Sequence, residues 1–375
     1  MRILISIPCL LIGGTEVQTL QLVRALVGGG HEVTTVCYFE HTESMVRQYE
    51  AAGSKVVLLS SDGVRPKGIF RTIDFLWKGL RRAVKDVKPD VVHVQYMAPG
   101  ALPIFIYKLL GAKNIIATLH TAADIYPNLR LIHFLQQHVG RAFLCITEIA
   151  ERSFFGSSEL FSEKSIVGKR NHFTIHNALP PHIPLRSEPR EFSEGKPITI
   201  GVVSRLERIK GMDLVLPAFQ QLAANTEREV RLLVVGDGSL RQQMEEGAKA
   251  SPFADRITFM GRQAPDELPA AYDAIDVLWM PSRSEGFGLS ALEGMARGCV
   301  VVASDVGGLP EVIGKDGTSG ITVTSGNVTA LADVSCGLLQ DLTLLRSMSA
   351  CAIKRAETFS FERYALLHNR LYEGL

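Results

Sequence analysis

Short apolar runs of about four to seven residues alternate with longer stretches whose apolar positions recur every three or four residues, along most of the chain. Apolar runs without polar alternation read as strands buried on both faces, and the amphipathic stretches between them as crossover helices, so parallel sheets are expected. In the first half the expected strands are 3–7, 32–38, 55–59, 91–95, 115–119, 143–147 and 173–176, with helices over 16–27 and 70–87 among the connections. From Pro180 to Pro197, prolines, charges and a glycine exclude a helix or central strand, and the stretch reads as a linker. The pattern then restarts, with strands at 198–203, 230–235, 257–260, 277–280 and 300–303 and helices from Met212, near 265–272, and from Ser239 and Gly288. Two α/β domains are expected, one over 1–183 and one over 184–360. The last stretch, about 361–375, places Phe361, Tyr364, Leu367 and Leu371 at helical spacing and is expected to pack back on the first domain.

A chain of 375 residues is long for one core, and 46% hydrophobic with 21% charged residues is ordinary for a folded protein, which excludes disorder and collagen-like repeats. The apolar stretch 3–12 follows a single arginine, but Pro8 and the run into Gly13-Gly14-Thr15-Glu16 read as a first strand and turn and not as an export signal. No run of 18 apolar residues suggests a membrane span. Six scattered cysteines without C-x-x-C spacing read as reduced core residues of a cytoplasmic protein. The net charge of +1 gives no reason to expect nucleic acid. It hides an asymmetry, because residues 1–185 carry 20 Lys and Arg against 14 Asp and Glu, while the remainder carries 20 against 25. A basic first half suits an anionic membrane surface, at the inner face of the cell membrane, or an anionic acceptor. The segment 70–88 concentrates that charge beside Phe75, Leu76, Trp77 and Leu80, as a basic amphipathic helix would.

Candidate chemistry lies in two segments of the second half. Arg205 and Lys210, in Ser204-Arg205-Leu206-Glu207-Arg208-Ile209-Lys210-Gly211, follow the expected strand 198–203 and can neutralise a diphosphate there. The stretch 281–298 passes from a strand through Glu285, Gly286, Phe287 and Gly288 into a helix at Leu289, placing free amides and the positive end of a helix dipole where an anion can bind. Glu285 and Glu293 lie eight residues apart, about 12 Å if the segment were fully helical. Carboxylates accept hydroxyl hydrogen bonds, which suits the diols of a ribose and a sugar.

Together with Gly13-Gly14-Thr15-Glu16, Gly236-Asp237-Gly238 and Gly307-Gly308-Leu309-Pro310-Glu311, these segments occur in an order that resembles the fourth family of retaining glycosyltransferases, and they span residues 13–311. The resemblance implies the GT-B fold, in which two Rossmann-like domains face each other across a cleft, and a hexosyltransferase-type reaction without a metal or other cofactor. The donor is a nucleotide-diphosphate sugar, UDP favoured over GDP, and the acceptor a glycan or a lipid-linked molecule of surface polysaccharide or glycolipid synthesis. Residue by residue it implies that Arg205 and Lys210 bind the diphosphate, Glu293 the ribose and Glu285 the transferred sugar. The backbone of Gly286, Phe287, Gly288 and Leu289 holds the sugar and β-phosphate, Gly13 and Gly14 close over the diphosphate, His120 faces donor sugar and acceptor, and Arg262 meets the base. Asn177-Ala178-Leu179-Pro180 departs from the family's N-G-V-D run, and Gln95 from a common second histidine after His93. Two rivals remain: a nicotinamide-dependent dehydrogenase, for which Gly13-Gly14 lacks the third glycine of the fingerprint, and a catalytically inactive nucleotide-sugar-binding partner of the same fold.

Overall fold

The computed structural model describes residues 1–95, 101–121, 128–165, 167–168 and 170–375. The chain forms two compact units, Met1–Ala178 with Phe361–Leu375, and Leu179–Ser360.

In unit 1, seven parallel strands, β1 (Arg2–Ile7), β2 (Glu32–Cys37), β3 (Lys55–Leu58), β4 (Val91–Gln95), β5 (Asn114–Leu119), β6 (Ala142–Cys145) and β7 (His172–Thr174), lie in the order 3-2-1-4-5-6-7. Helices α1 (Gly14–Gly28), α2 (Glu43–Ala51), α3 (Ile69–Val87), α4 (Leu102–Leu109), α5 (Leu129–His138) and α6 (Glu148–Phe155) connect them. The two-residue period of a strand explains why both faces are covered. Ile3, Ile5 and Ile7 of β1 join Leu22, Val23 and Leu26 of α1 in one core, while Leu4 meets Leu76 and Leu80 of α3 and Val92 and Val94 of β4 in the other. Side-chain caps fix several helix starts: Thr42, Asn128 and Thr147 accept from Met45, Leu131 and Ala150 amides.

In unit 2, β8 (Ile198–Val203), β9 (Val230–Val235), β10 (Ile257–Gly261), β11 (Val277–Met280), β12 (Val300–Ser304) and β13 (Gly320–Val323) form a second parallel sheet, order 10-9-8-11-12-13. Counted within the unit, that order is again 3-2-1-4-5-6, the doubly wound arrangement. Helices α7 (Met212–Asn225), α8 (Arg241–Lys249), α9 (Leu268–Asp273), α10 (Leu289–Ala296), α11 (Leu309–Ile313), α12 (Val328–Leu339) and α13 (Leu342–Glu357) surround it. Val215, Phe219 and Leu222 of α7 and Leu331 and Leu338 of α12 bury one face of β8 at Ile198, Ile200 and Val202.

The final helix, α14 (Phe361–Glu373), lies on α1, where Asn369 Nδ2 donates to the Ala25 carbonyl at 3.2 Å and Leu371 and Tyr372 enter the unit 1 core. The division between the units falls after Ala178, where 183/184 was expected, and the stretch read as a linker is bonded into unit 2. Leu179 already donates to the Phe359 carbonyl, Arg186 donates to that of Ala296, and buried Arg190 donates to the carbonyls of Tyr272 and Asp273, so this segment is part of unit 2. No single helix among the described residues is long and apolar enough to cross a membrane.

Candidate active site

Where a doubly wound sheet reverses its strand order, the loops at the carboxyl ends of the two central strands diverge and leave room for a ligand. In unit 2 the reversal falls between β8 and β11, and their loops carry most of the expected donor residues. The loop after β8 ends in one tight turn, Arg208–Lys210, and Gly211 then takes φ 70°. A β-carbon at Gly211 would overlap the Pro281 carbonyl, so glycine is what lets the two loops meet backbone to backbone. Arg283 locks the junction: its amide donates to the Ile209 carbonyl at 2.9 Å, and its guanidinium to the Arg208 carbonyl at 2.7 Å and to both Asp213 oxygens at 2.6 and 2.9 Å. Burial alone would raise the Asp213 carboxyl, but the Arg283 guanidinium outweighs it and holds the group below its usual range. Sequence reading missed this clamp, because the 70 residues between its members leave no spacing signal.

The junction brings Lys210 and Glu285 together. Lys210 Nζ donates to Glu285 Oε2 at 2.6 Å, with the side chains only 18% and 14% exposed. The Gly308 amide in the loop after β12 donates to the Glu285 carbonyl at 3.3 Å. Arg205 is exposed and makes no ion pair among the described residues, while its loop is pinned to the one after β9 by bonds from Leu206 to Asp237 and from Leu240 to Leu206. Gly286 is half-buried, and the Phe287 ring is buried edge-on to Phe359 at 5.8 Å, anchoring the turn while its backbone leads into α10. Gly288 caps α10 in the left-handed region and Leu289 opens it. α10 starts at Leu289 with Glu285 in the preceding loop, so the condition of a fully helical segment between the two glutamates is not met.

Glu293 lies on α10, 8% exposed, and accepts from the Tyr272 hydroxyl at 2.7 Å. Burial raises its carboxyl to about 7, against the opposing pull of that hydroxyl. Tyr272, at the end of α9, is held by the Arg190 guanidinium, which donates to its carbonyl at 2.6 Å. No local spacing in the sequence pointed to either residue. Arg262 follows β10, at the sheet's outer edge, and is exposed; no hydrogen bond or ion pair among the described residues joins it to the rest of the set.

Unit 1 holds the other expected residues. Gly13 precedes α1 in an extended conformation, accepting from the Val17 amide at 3.0 Å, and Gly14 opens the helix, exposed. Glu16 folds back on this turn and accepts from the Cys9 thiol at 3.1 Å; burial and then Glu16 push that thiol up to about 12. His120 follows β5, buried, with Nε2 2.9 Å from Gln95 Oε1. Burial lowers it to about 4, so the ring is neutral near pH 7. His93 is a core residue, bonded to the Tyr372 hydroxyl at 2.6 Å and the Thr118 hydroxyl at 2.7 Å. Ala178 avoids the left-handed turn, and its amide and carbonyl both bond Gln18. Among the described residues no group of three or more His, Cys, Asp or Glu could hold a metal ion.

Comparison with known proteins fits this geometry. Residues 186–355 match the family of glycosyl transferases group 1, and residues 12–153 match glycosyltransferase family 4. Over 177 residues, 46% of this chain and 39% of the relative, the chain is 37% identical to the D-inositol 3-phosphate glycosyltransferase of Nocardia farcinica. It spans about two fifths of the length of the first curated relatives it matches. Over 297 residues, 76% of this chain and 74% of the relative, it is 28% identical to the N-acetyl-alpha-D-glucosaminyl L-malate synthase of Bacillus anthracis. Anabaena HepE, solved in complex with UDP-glucose, superposes with a TM-score of 0.78 over 100% of this chain and 99% of its own, at 17% identity. The chain is a GT-B protein: two Rossmann-like units, each a parallel sheet flanked by helices. It is related to the group 1 and family 4 glycosyltransferases.

Proposed function

We propose that the chain is a retaining glycosyltransferase of the hexosyltransferase type, moving a sugar from a nucleotide-diphosphate donor, UDP in preference to GDP, to a glycan or lipid-linked acceptor in surface polysaccharide or glycolipid synthesis. The observation that carries this reading is the half-buried Lys210–Glu285 pair at the strand reversal of unit 2, beside a helix start and a buried Glu293. Lys210 and the exposed Arg205 neutralise the diphosphate, amides from Gly286 to Leu289 receive the β-phosphate and sugar, Glu293 accepts the ribose hydroxyls and Glu285 the sugar. During transfer the bond from the anomeric carbon to the β-phosphate oxygen breaks with its electron pair on phosphate. The acceptor oxygen bonds that carbon on the same face, and its proton passes to a phosphate oxygen. Cations already in place when charge develops on the diphosphate lower the barrier without reorganisation, so no metal is required. The reaction takes place in the cytoplasm, where nucleotide sugars are available.

Several features of this reading are testable together. The purified chain, incubated in EDTA with UDP-, GDP- and ADP-sugars and a panel of glycan acceptors, should release nucleotide fastest from a UDP-sugar, and the earliest product should show the donor's anomeric configuration by proton NMR. An inverted product, or activity lost to chelator and restored by Mn²⁺, would overturn the mechanism. Donor-dependent thermal stabilisation with neither hydrolysis nor transfer would mark an inactive binding partner instead.

A further inference from the structure

The first turns of α3 overhang the sheet. At 100° per residue, Leu76, Leu80 and Ala83 form one stripe, and all three are buried. Ile69 and Ile73 continue that stripe two turns toward the N-terminus, each seven residues before a buried leucine, yet they are 70% and 38% exposed. Phe70 beside them is 83% exposed, and Val64 in the preceding loop 60%. A crossover helix that only covered its sheet would not extend its apolar stripe into water.

Charge surrounds this tip. Residues 64–88 contain eight Lys and Arg and only Asp74 and Asp86 as acids, which equals the whole excess of six positive charges in residues 1–185. Both acids are paired, with Lys78 and Arg82, and Arg65 pairs with Glu40. Lys67, Arg71, Arg81, Lys85 and Lys88 make no ion pair among the described residues. Arg71, Arg81 and Lys85 lie along a helix of 19 residues, about 28 Å, with Lys67 and Lys88 just beyond its two ends, a spread that matches an extended anionic plane better than a compact acidic patch.

The tip also belongs to a continuous rim. The loop carrying Val64 leaves the carboxyl end of β3, on the same sheet edge as the loop from β1 into Gly13-Gly14, where Ile12 is 56% exposed. The loops are joined through the one after β2: Leu10 donates to the Glu40 carbonyl at 2.9 Å, and the Arg65 guanidinium bonds the Glu40 carboxylate and lies 4.9 Å from the centre of the Phe39 ring.

We propose that this rim docks on an anionic lipid bilayer, with Val64, Ile69 and Phe70 entering the interface and the unpaired cations on and beside α3 meeting lipid phosphates. The docking stands on the surface of unit 1 alone. The step it adds, that the acceptor is lipid-anchored and reaches the protein along the membrane plane, rests on the sugar-transfer reading.

Flotation of the full chain with vesicles separates the two. Vesicles of phosphatidylcholine with 30% phosphatidylglycerol should recover the protein, and pure phosphatidylcholine, or the anionic vesicles in 0.5 M salt, at least tenfold less. Phe70→Ser, and separately Arg71→Glu with Lys85→Glu, should each lower partitioning about tenfold at unchanged thermal midpoint, because none of these side chains is buried. Equal recovery on neutral and anionic vesicles, or no recovery on either, overturns the docking. So does a concentration-dependent dimer in sedimentation that Phe70→Ser dissolves, since a second copy would then cover the tip. UDP binding by calorimetry, read on the same variants, should be unchanged. A wild-type chain that binds UDP but not the anionic vesicles refutes the docking only, and one that binds the vesicles but not UDP refutes the donor site only.

Discussion

The two units share one strand order and use the loops at its carboxyl edge in opposite ways. In unit 2 the loops after β8, β9, β11 and β12 are stitched to one another by backbone bonds, by Arg283 on Asp213 and by Lys210 on Glu285. In unit 1 the corresponding edge is joined more sparsely, by Leu10 and Arg65 on Glu40, above a neutral buried network with His93 on Thr118 and Tyr372 and His120 on Gln95, and it presents apolar side chains to water. Neutralising a diphosphate requires charges that do not move as the reaction proceeds, and a stitched set of loops supplies that. The docking proposed for unit 1 needs exposed apolar area instead, and there a single ion pair, Arg65 on Glu40, holds the rim while Val64, Ile69 and Phe70 stay uncovered.

If that contrast is right, removing a stitched charge costs most. Lys210→Met should lower kcat about 10² to 10³-fold with nucleotide still bound. A mere rise in KM would assign Lys210 to ground-state binding and break the comparison. The backbone junction comes next. Gly211→Ala adds a β-carbon against the Pro281 carbonyl as well as left-handed strain, so unit 2 should lose about 3 kcal/mol of stability by denaturant unfolding. Gly111→Ala in unit 1 is the control: φ there is 87° with open space around a β-carbon, and strain alone should cost about 1 kcal/mol. Equal losses would mean that the junction is no tighter than an ordinary turn.

How much of this was legible in the sequence follows from the same contrast. Twelve of the thirteen strands among the described residues could be placed within a residue or two because doubly buried strands are continuous apolar runs, as in Val300–Ser304, whereas the edge strand β13, Gly320–Val323, is half exposed, carries no such run and was missed. Lys210 and Glu285 were legible as candidates because each sits in a short segment with glycines at fixed offsets. Their contact was not, since it depends on Gly211 meeting Pro281 across the strand reversal. Segment 180–197 misled because proline suggests an unattached hinge, whereas the carbonyls that Arg190 reaches are 82 and 83 residues away. The exposure of Ile69 was equally hidden, since its spacing from Leu76 is that of a buried stripe and only the extent of the sheet shows that nothing covers it.

Glu293 sharpens the comparison by pH. Its folded-state carboxyl is raised from 4.5 to about 7, so between those values the native state binds a proton that the unfolded chain releases, and stability falls as pH rises through that window. The penalty is fully developed above pH 7 and on the order of 3 kcal/mol. Glu293→Gln removes the titration while keeping an oxygen for the Tyr272 hydroxyl. The variant should therefore gain on the wild type in thermal midpoint from pH 5 to pH 8, with the gap level above that. A gap that stays flat across the range would mean that Glu293 is an ordinary ionised carboxylate and that unit 2 holds no strained charge there.

The smallest effect, and the most selective, is expected at Tyr272. Its hydroxyl donates to Glu293 and favours the carboxylate, opposing the larger push of burial. Tyr272→Phe leaves the ring in its packed site and removes only that donor, so the Glu293 carboxyl should move further above 7. If ribose hydroxyls bind the ionised form, UDP affinity measured by calorimetry at pH 7 should weaken about five- to tenfold, within the range of a single hydrogen bond. The sign of the pH dependence is fixed: the loss should be greatest below the raised value, where the variant's carboxyl is protonated, and should close as pH rises toward 9. Because ribose contacts are alike in ground and transition states, kcat should stay within about twofold of wild type. A loss of affinity that is the same from pH 6 to pH 9 would show that Tyr272 acts by packing alone, and a lowered kcat with unchanged affinity would move Glu293 from the ribose to the reacting end of the donor.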